Sequence, residues 1–280
     1  MTPYRGPSTT RAPDVLVCAG LDPSGGAGLI ADVRITSDLG VRPSGVVTAL
    51  TVQNTTGVVG CQPSDPDLVG HQLAFLLTDI EMRAVKIGMI GSTAVAKAVA
   101  NALHLTSAPV VWDPILYPSR GDVPLIDSQF GDAITALRPH LALVTPNARE
   151  LAFMTNLAVV DLASAEAAAR VLMHRLDCAV LIKGGHIEPK MEPGGLRSTG
   201  GDDESVDVLL QPSGARDELH APRIRDGEGV HGTGCALSSA ITACLAHGRE
   251  LLEACQLAKD YVRERIADPA RPGRGAPAVV

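Results

Sequence analysis

Short apolar runs alternate with helix-patterned segments along nearly the whole chain of 280 residues. Between the runs, apolar side chains recur at helical spacing, as in LIADVRITSDLG after the first run. The apolar runs are DVLVCAG, GVVTALTV, AVKIGMI, APVVWDP, LALVTPN, CAVLIKGG and VDVLL. Because parallel strands need a crossover helix between them, this alternation predicts a three-layer αβα sandwich around a mostly parallel sheet.

The same pattern sets the expected domain and helix boundaries. We expect one domain over residues 13–267, with disordered Pro- and Arg-containing tails at 1–12 and 268–280. The polar, Gly-rich segment Glu188–Ser205 is expected to be an exposed, mobile loop. Four of the expected helices are Ser128–Leu137, Ser164–Leu176, Cys235–Ala246 and Leu251–Ile266.

Composition excludes several classes of partner. The net charge of -7, with no compensating basic face, argues against nucleic acid. The chain shows neither an apolar run of the roughly 18 residues needed to cross a membrane nor the apolar stretch of a secretory signal at its N-terminus.

Its six cysteines are scattered without CxxC or zinc spacing, which predicts reduced thiols in the cytoplasm.

Ligands of parallel sheets bind at the carboxyl ends of the strands, so the residues after each apolar run matter most. The glycine-rich turn GLDPSGGAG follows the first run and fits neither the Walker pattern nor GxGxxG. Asp32, in the helix after it, is by itself an ordinary exposed helical acid. Gln53 offers an amide that can read a ring nitrogen and an exocyclic amine, or can simply face water.

Three further strand ends carry charged or hard-oxygen side chains. Asp113 can hold a cation, accept a proton or cap the next turn. Asn147 and Glu150 are three residues apart, which suits either Mg²⁺ and its waters or a helix capping box, and the spacing alone favours the box. Lys183 precedes two glycines and can meet a phosphate or remain solvated.

The stretch VHGTGCALSSA places small residues at the start of a helix. Glycines at 232 and 234 allow the unpaired first amides, with Thr233 between them, to converge on an anion. We expect Cys235 in that field to ionise more readily than a free thiol, rather than to fill a gap in the core. His186 and His231 are not spaced as a metal pair and are expected to be loop side chains.

The ordered motifs resemble hydroxymethylpyrimidine/phosphomethylpyrimidine kinases of thiamin biosynthesis, in the ribokinase-like superfamily. The matching stretches are AGLDPSGGAGLIAD, TALTVQNT, KIGMI, TPNARE, LIKGGH, APRI and HGTGCALSSA. The resemblance implies a roughly eight-stranded sheet, commonly in a homodimer. It also implies transfer of the ATP γ-phosphate, with Mg²⁺, to 4-amino-5-hydroxymethyl-2-methylpyrimidine and then to the resulting monophosphate.

The resemblance also implies roles for individual residues. Those that match the lining of the pyrimidine pocket are Gly20, Asp32, Gln53 and Met89. Asn147 and Glu150 match the Mg²⁺/phosphate pair, and Asp113 is a further candidate for the metal. Lys183 and Lys259 match lysines of the family, the first on the nucleotide side. The residues that match the anion hole and the catalytic position are Gly232, Thr233, Gly234 and Cys235.

Two segments depart from the family pattern. PILYPSRGD stands where relatives usually have a Lys or a small residue before Ser-Gly, so Arg120 is given no role. RPGRGAPA stands where relatives often end in a Gly-His-Gly segment. Pyridoxal kinase activity is the nearest alternative, because that substrate also carries a hydroxymethyl group on an aromatic nitrogen ring. A non-catalytic pyrimidine sensor is an alternative from a different class.

Overall fold

A computed structural model of the chain describes residues 11–118, 125–127, 129–184, 204–224 and 229–279. Its strands are β1 Asp14–Leu21, β2 Arg42–Asn54, β3 Gly57–Pro63, β4 Ala84–Ile87, β5 Val110–Trp112, β6 Leu141–Val144, β7 Ala179–Ile182, β8 Glu204–Leu210 and β9 Arg216–Pro222. Its helices are α1 Gly28–Asp38, α2 Pro66–Asp79, α3 Thr93–Leu103, α4 Phe130–Leu137, α5 Ala148–Thr155, α6 Leu162–Leu176, α7 Thr233–Ala246 and α8 Leu251–Ala267.

The strands form one sheet in the order β3-β2-β1-β4-β5-β6-β7-β8-β9. All neighbours from β2 to β7 are parallel, whereas β3 at one edge and β8 and β9 at the other pair antiparallel. The predicted mostly parallel sheet is therefore confirmed. The sequence did not indicate β3 and β9, because the edge strands GVVGCQP and RDELHAP lack the apolar run of a strand buried on both faces.

Helices cover both faces of the sheet. One core contains Leu73 of α2, Val99 of α3 and Leu172 of α6. The core on the opposite face contains Ile241 of α7 and Ala258 of α8. Mostly aliphatic side chains fill both layers, and this is the three-layer αβα arrangement expected from the sequence.

Two of the predicted helices begin earlier than expected. Helix α6 starts at Leu162 because Asp161 is its N-cap and accepts a hydrogen bond of 2.8 Å from the amide of Ser164. Helix α7 starts at Thr233 rather than Cys235. No helix in the described ranges is long and apolar enough to cross a membrane.

The C-terminal segment differs from its prediction. Residues 268–279 were expected to be disordered, but Ala278 is only 1% exposed and pairs with His231 and Ala270 in short bridges. Backbone hydrogen bonds to neighbouring loops hold the segment, which periodicity within the segment does not reveal. The predicted N-terminal tail up to residue 10, the loop at 188–203, His186 and Arg120 lie outside the described residues.

Candidate active site

A cavity of about 680 Å³ opens at the carboxyl ends of the parallel strands. It brings together residues that are far apart in the sequence, and all but one of the predicted site residues line it. Those that do are Gly20, Gln53, Met89, Asp113, Asn147, Glu150, Lys183, Gly232, Thr233, Gly234, Cys235 and Lys259. Met89, Asp113, Asn147 and Lys183 follow the neighbouring strands β4, β5, β6 and β7, as expected for ligand sites in open α/β folds.

Asp22 organises the glycine-rich turn after β1. Its carboxylate accepts hydrogen bonds from the amides of Ser24 (2.8 Å) and Ala27 (3.1 Å). Burial alone would raise the pKa of Asp22, but the nearby His231 ring and the hydrogen bonds from Ser24 outweigh burial and lower it. Gly28 ends the turn at φ 59°, where a Cβ would lie 2.3 Å from the carbonyl oxygen of Gly20. The glycines are therefore needed for the tight return of the chain into α1.

Helix α7 opens at the floor of the cavity. Its N-cap, Gly232, has φ 84° and makes no side-chain capping bond, and the first intrahelical bond runs from Ala236 N to Gly232 O at 2.8 Å. The amides of residues 233–235 thus have no acceptor within the helix. A Cβ on Gly234 would lie 3.3 Å from Lys183 Nζ, so this lysine stands beside the helix N-terminus. The amides and the ammonium together form a set of donors suited to an anion, which we call the cationic corner, and the Asp113 carboxylate lies beside them, 3.6 Å from the same Cβ position.

Cys235 does not have the readily ionised thiol that the sequence predicted. The residue is 7% exposed, and burial raises its pKa to about 12, although Lys86 pulls in the other direction. The prediction was wrong because it weighed the helix dipole without the cost of burying a thiolate. In the free protein Cys235 is a neutral thiol.

Asp113 and Lys183 form an ion pair at the back of the cavity, with 3.0 Å between Lys183 Nζ and Asp113 Oδ1. Thr145 donates its hydroxyl to the same carboxylate oxygen at 3.3 Å. Burial would lower the pKa of Lys183, but Asp113 and Glu150 outweigh burial and raise it. The lysine is therefore a fixed positive charge, and Asp113 holds it toward the helix N-terminus.

Asn147 and Glu150 form the capping box that their spacing favoured. The Asn147 side chain accepts from Glu150 N at 2.9 Å, and the Glu150 carboxylate accepts from Asn147 N at 2.8 Å. Across the described parts of the chain, no three His, Cys, Asp or Glu side chains stand close enough together to cage a metal ion. A cation at this site would therefore take most of its ligands from phosphate and water.

Glu150 is the titratable group of this box. Burial raises its pKa from an ordinary value of 4.5 to about 7, and Lys183 only partly offsets the effect. Since the folded state binds the proton more tightly than the unfolded state, this side chain makes folding less favourable as pH rises from about 4.5 to about 7.

We expect Glu150→Gln to remove that pH dependence. The free energy of unfolding of the wild type should fall relative to that of the variant between pH 5 and pH 8, because glutamine keeps the capping geometry but does not ionise. Urea unfolding at both pH values measures the difference. A difference that is the same at both values contradicts the raised pKa.

Asp32 is the predicted site residue that the structure places elsewhere. It is fully buried beneath α7, where its carboxylate lies 2.5 Å from Lys86 Nζ and accepts a hydrogen bond of 2.8 Å from Ser239. It does not line the cavity, so its predicted contact with substrate was wrong. Its role is to tie α1 to α7. Lys86, inside the apolar run AVKIGMI, was the signal that a buried partner existed.

One histidine and one lysine mark the two ends of the cavity. At one end, His231 lies 3.3 Å from the Gln53 amide nitrogen and 3.6 Å from the Asp22 carboxylate. At the other end, Lys259 pairs with Asp207 at 2.9 Å. The sequence treated His231 as an ordinary loop side chain and did not single out Asp22 or Asp207, since their partners come from remote segments.

The architecture and the cavity define a class of protein, a ribokinase-like kinase of small molecules. Residues 22–279 match the family model described as phosphomethylpyrimidine kinase. The chain is 38% identical over 271 residues to a hydroxymethylpyrimidine/phosphomethylpyrimidine kinase of Mycobacterium leprae, covering 93% of this chain and 91% of the relative. The chain belongs to the phosphomethylpyrimidine kinase family and is an ATP-dependent phosphotransferase.

Solved structures agree with this placement. The crystal structure of phosphomethylpyrimidine kinase from Clostridium difficile matches with a TM-score of 0.74 at 29% identity, covering 91% of this chain and all (100%) of that one. Pyridoxal kinase from Staphylococcus aureus in complex with AMP-PCP matches with a TM-score of 0.81 at 25% identity, covering 96% and 93%. The fold is thus shared by a phosphomethylpyrimidine kinase and a pyridoxal kinase.

Proposed function

We propose that the chain transfers the γ-phosphoryl group of ATP to 4-amino-5-hydroxymethyl-2-methylpyrimidine, and then phosphorylates the monophosphate to the diphosphate. The observation that carries the proposal is that one continuous cavity joins the amide-reading Gln53 to the cationic corner at residues 233–235. A small ring alcohol at Gln53 can therefore present its oxygen to a phosphoryl group held at the helix N-terminus. Phosphoryl transfer needs this alignment and charge stabilisation more than covalent help from the protein.

The ring end of the cavity suits a flat heteroaromatic molecule. Gln53 supplies both a donor and an acceptor, which matches a ring nitrogen beside an amino group. A Cβ on Gly20 would lie 2.2 Å from Met89 Cε, so the glycine lets the methionine form an apolar wall there. We assign Gln53, Gly20 and Met89 to pyrimidine binding.

The nucleotide end holds the charged residues. We assign Lys183 and Asn147 to the phosphates of ATP and Lys259 to the outer part of the nucleotide site, where it lines the cavity. The amides of residues 233–235 stabilise the negative charge on the phosphoryl group during its transfer, as preorganised donors do in other transfer reactions.

A divalent cation fits this end, and we propose that it is Mg²⁺. The donors present are hard oxygens, and the small number of carboxylates suits an ion that keeps several waters and binds mainly to phosphates. Glu150 and Asn147 would hold its waters, with Asp113 nearby. When bound, the cation neutralises the phosphate oxygens of ATP.

The direct test is product analysis with ATP, Mg²⁺ and the hydroxymethylpyrimidine, followed by chromatography or phosphorus NMR. We expect the monophosphate to appear first and the diphosphate to follow. Binding of the pyrimidine without ATP consumption would instead favour the sensor alternative. Parallel assays with pyridoxal test the second candidate activity, which the likeness to the Staphylococcus aureus enzyme supports.

Cys235 is expected to serve the first transfer more than the second. The alcohol must lose a proton as it is phosphorylated, whereas the monophosphate already presents an anionic oxygen. Because Cys235 is a neutral thiol in the free protein, only its minor thiolate form can take that proton, so we predict that Cys235→Ala slows the first transfer by no more than about 10², the lower range for a lost acid–base group, and the second much less. Single-turnover assays started from each acceptor measure the two steps, and equal losses in both reject this division.

We further propose that the protein works in the cytoplasm as a homodimer. All six cysteines are free, as expected in a reducing compartment. The edge formed by β2 and β3 exposes Leu50, Val52 and Val59, the last to 84%, which is apolar surface that a second copy can cover. Sedimentation of the wild type and of Val59→Asp measures the assembly.

A further inference from the structure

The C-terminal segment forms a strap across the ring end of the cavity. We call residues 270–279 the C-terminal strap. Its two ends are closed by reciprocal hydrogen bonds, with Ala270 N to Ala278 O at 2.9 Å and Ala278 N to Ala270 O at 2.8 Å. Ala278 and Val279 are buried against the domain. The strap is therefore docked through specific contacts.

One side of the strap holds the loop before α7. The amide of His231 donates to Pro277 O at 2.7 Å, and the amide of Val279 donates to His231 O at 3.3 Å. Both backbone polar groups of His231 are thus bonded to the strap. The His231 ring in turn lies beside Gln53 and Asp22, so the strap fixes the residue that links these two side chains.

The other side of the strap holds the loop after β2. The amide of Ala276 donates to Thr55 O at 2.9 Å, and the amide of Gly275 donates to Thr55 Oγ1 at 3.1 Å. The approach is close enough that a Cβ on Gly275 would lie 1.9 Å from Thr55 O. Thr55 is two residues beyond Gln53, so the strap contacts the ring-reading segment from this side as well.

Ala276 is itself part of the cavity wall. Among the described strap residues it is the one that lines the cavity, and its amide bonds Thr55, which is two residues beyond Gln53. Since the hydrogen bonds at Thr55 and His231 leave the strap little freedom, the size of residue 276 sets the width of the cavity there.

We propose that the C-terminal strap is the element that selects the acceptor: it positions Gln53 through Thr55 and His231, and Ala276 limits the size of the ring that fits. The proposal rests on the proposed function, because it takes the Gln53 end as the ring site. The nucleotide end, around Lys183 and Lys259, has no part in it.

Gly275→Ala in the full chain tests the positioning role. The added Cβ must displace the strap from Thr55, so we expect KM for the hydroxymethylpyrimidine to rise by about tenfold or more, with KM for ATP within about twofold of wild type, as for loss of acceptor binding alone. Gly131→Ala is the matched control, since a Cβ there meets nothing within 4 Å and alanine suits a helix. Equal rises in both KM values, or no rise, overturn the positioning role.

Ala276→Val tests the size limit and does not depend on the fate of the glycine variant. We expect the ratio of kcat/KM for hydroxymethylpyrimidine to that for pyridoxal to change by about tenfold, within the range that one or two methyl groups achieve in a packed pocket. An unchanged ratio overturns the selection role. If the wild type phosphorylates neither alcohol, the proposed function is wrong. If the wild type is active and the variants leave its kinetics unchanged, only the proposal about the C-terminal strap is wrong.

Discussion

Gly232→Ala is expected to reduce kcat for both phosphoryl transfers by about 10² to 10³, the loss typical of a removed anion-hole donor. A Cβ at this position would lie 2.2 Å from Gly26 O, so either the start of α7 or the glycine-rich turn must move. Movement of either one disperses the amides that converge on the transferring group. The rates of both steps, measured at saturating substrates, report the loss.

Gly248→Ala is the matched control for this change. Gly248 follows the other end of α7, with φ 80° against 84° at Gly232, but a Cβ there meets nothing within 4 Å. Both variants carry the cost of a left-handed alanine, about 1–2 kcal/mol, and Gly232→Ala should lose further stability through its contact with Gly26 O. Only Gly232→Ala should lose activity. Equal losses of kcat in the two variants would show that backbone strain, and not disruption of the cationic corner, causes the loss.

The second large effect concerns the buried pair of Lys86 and Asp32. Lys86→Met is expected to lower the free energy of unfolding by about 3–5 kcal/mol, because it leaves the Asp32 carboxylate buried without its partner. Both side chains are fully buried. Burial alone would lower the pKa of Lys86, but Asp32 outweighs burial and raises it, which marks a charged pair. Urea unfolding of the wild type and the variant measures the loss.

Two further variants identify the cause. Asp32→Asn combined with Lys86→Met should recover most of the stability, since no uncompensated charge remains and asparagine can still accept from Ser239. Lys97→Met, which breaks the exposed pair with Asp132 at 3.0 Å, should cost less than about 1 kcal/mol. A double variant as unstable as Lys86→Met would point to lost packing instead of a stranded charge.

The sequence predicted the parts of the fold that each segment determines by itself. Apolar runs buried on both faces identified the central strands, and the parallel sheet then placed their ends together. The edge strands β3 and β9, each paired with the strand just before it, were not predicted because they lack the apolar run of a strand buried on both faces. The C-terminal strap was not predicted because hydrogen bonds to remote segments hold it. Such contacts leave no periodic signal.

In the candidate site, too, locally determined features were predicted and features that depend on remote residues were not. Gln53, Lys183 and the glycines near residue 234 were found because strand ends and helix starts are local features. Asp32 of α1 and Cys235 of α7 were misjudged because their environments depend on burial and on Lys86 of β4, which is remote from both in the sequence. The capping box at Asn147 was predicted correctly because it is contained in one turn.

We propose that one cavity holds a ring alcohol at Gln53 while the amides of residues 233–235 hold the phosphoryl group that it receives. A crystal structure of the full chain with the hydroxymethylpyrimidine and a non-hydrolysable ATP analogue tests it most directly. We expect γ-phosphate oxygens about 2.7–3.2 Å from those amide nitrogens and the hydroxymethyl oxygen facing the γ-phosphorus. A γ-phosphate bound away from the start of α7, or a ring bound away from Gln53, would contradict it.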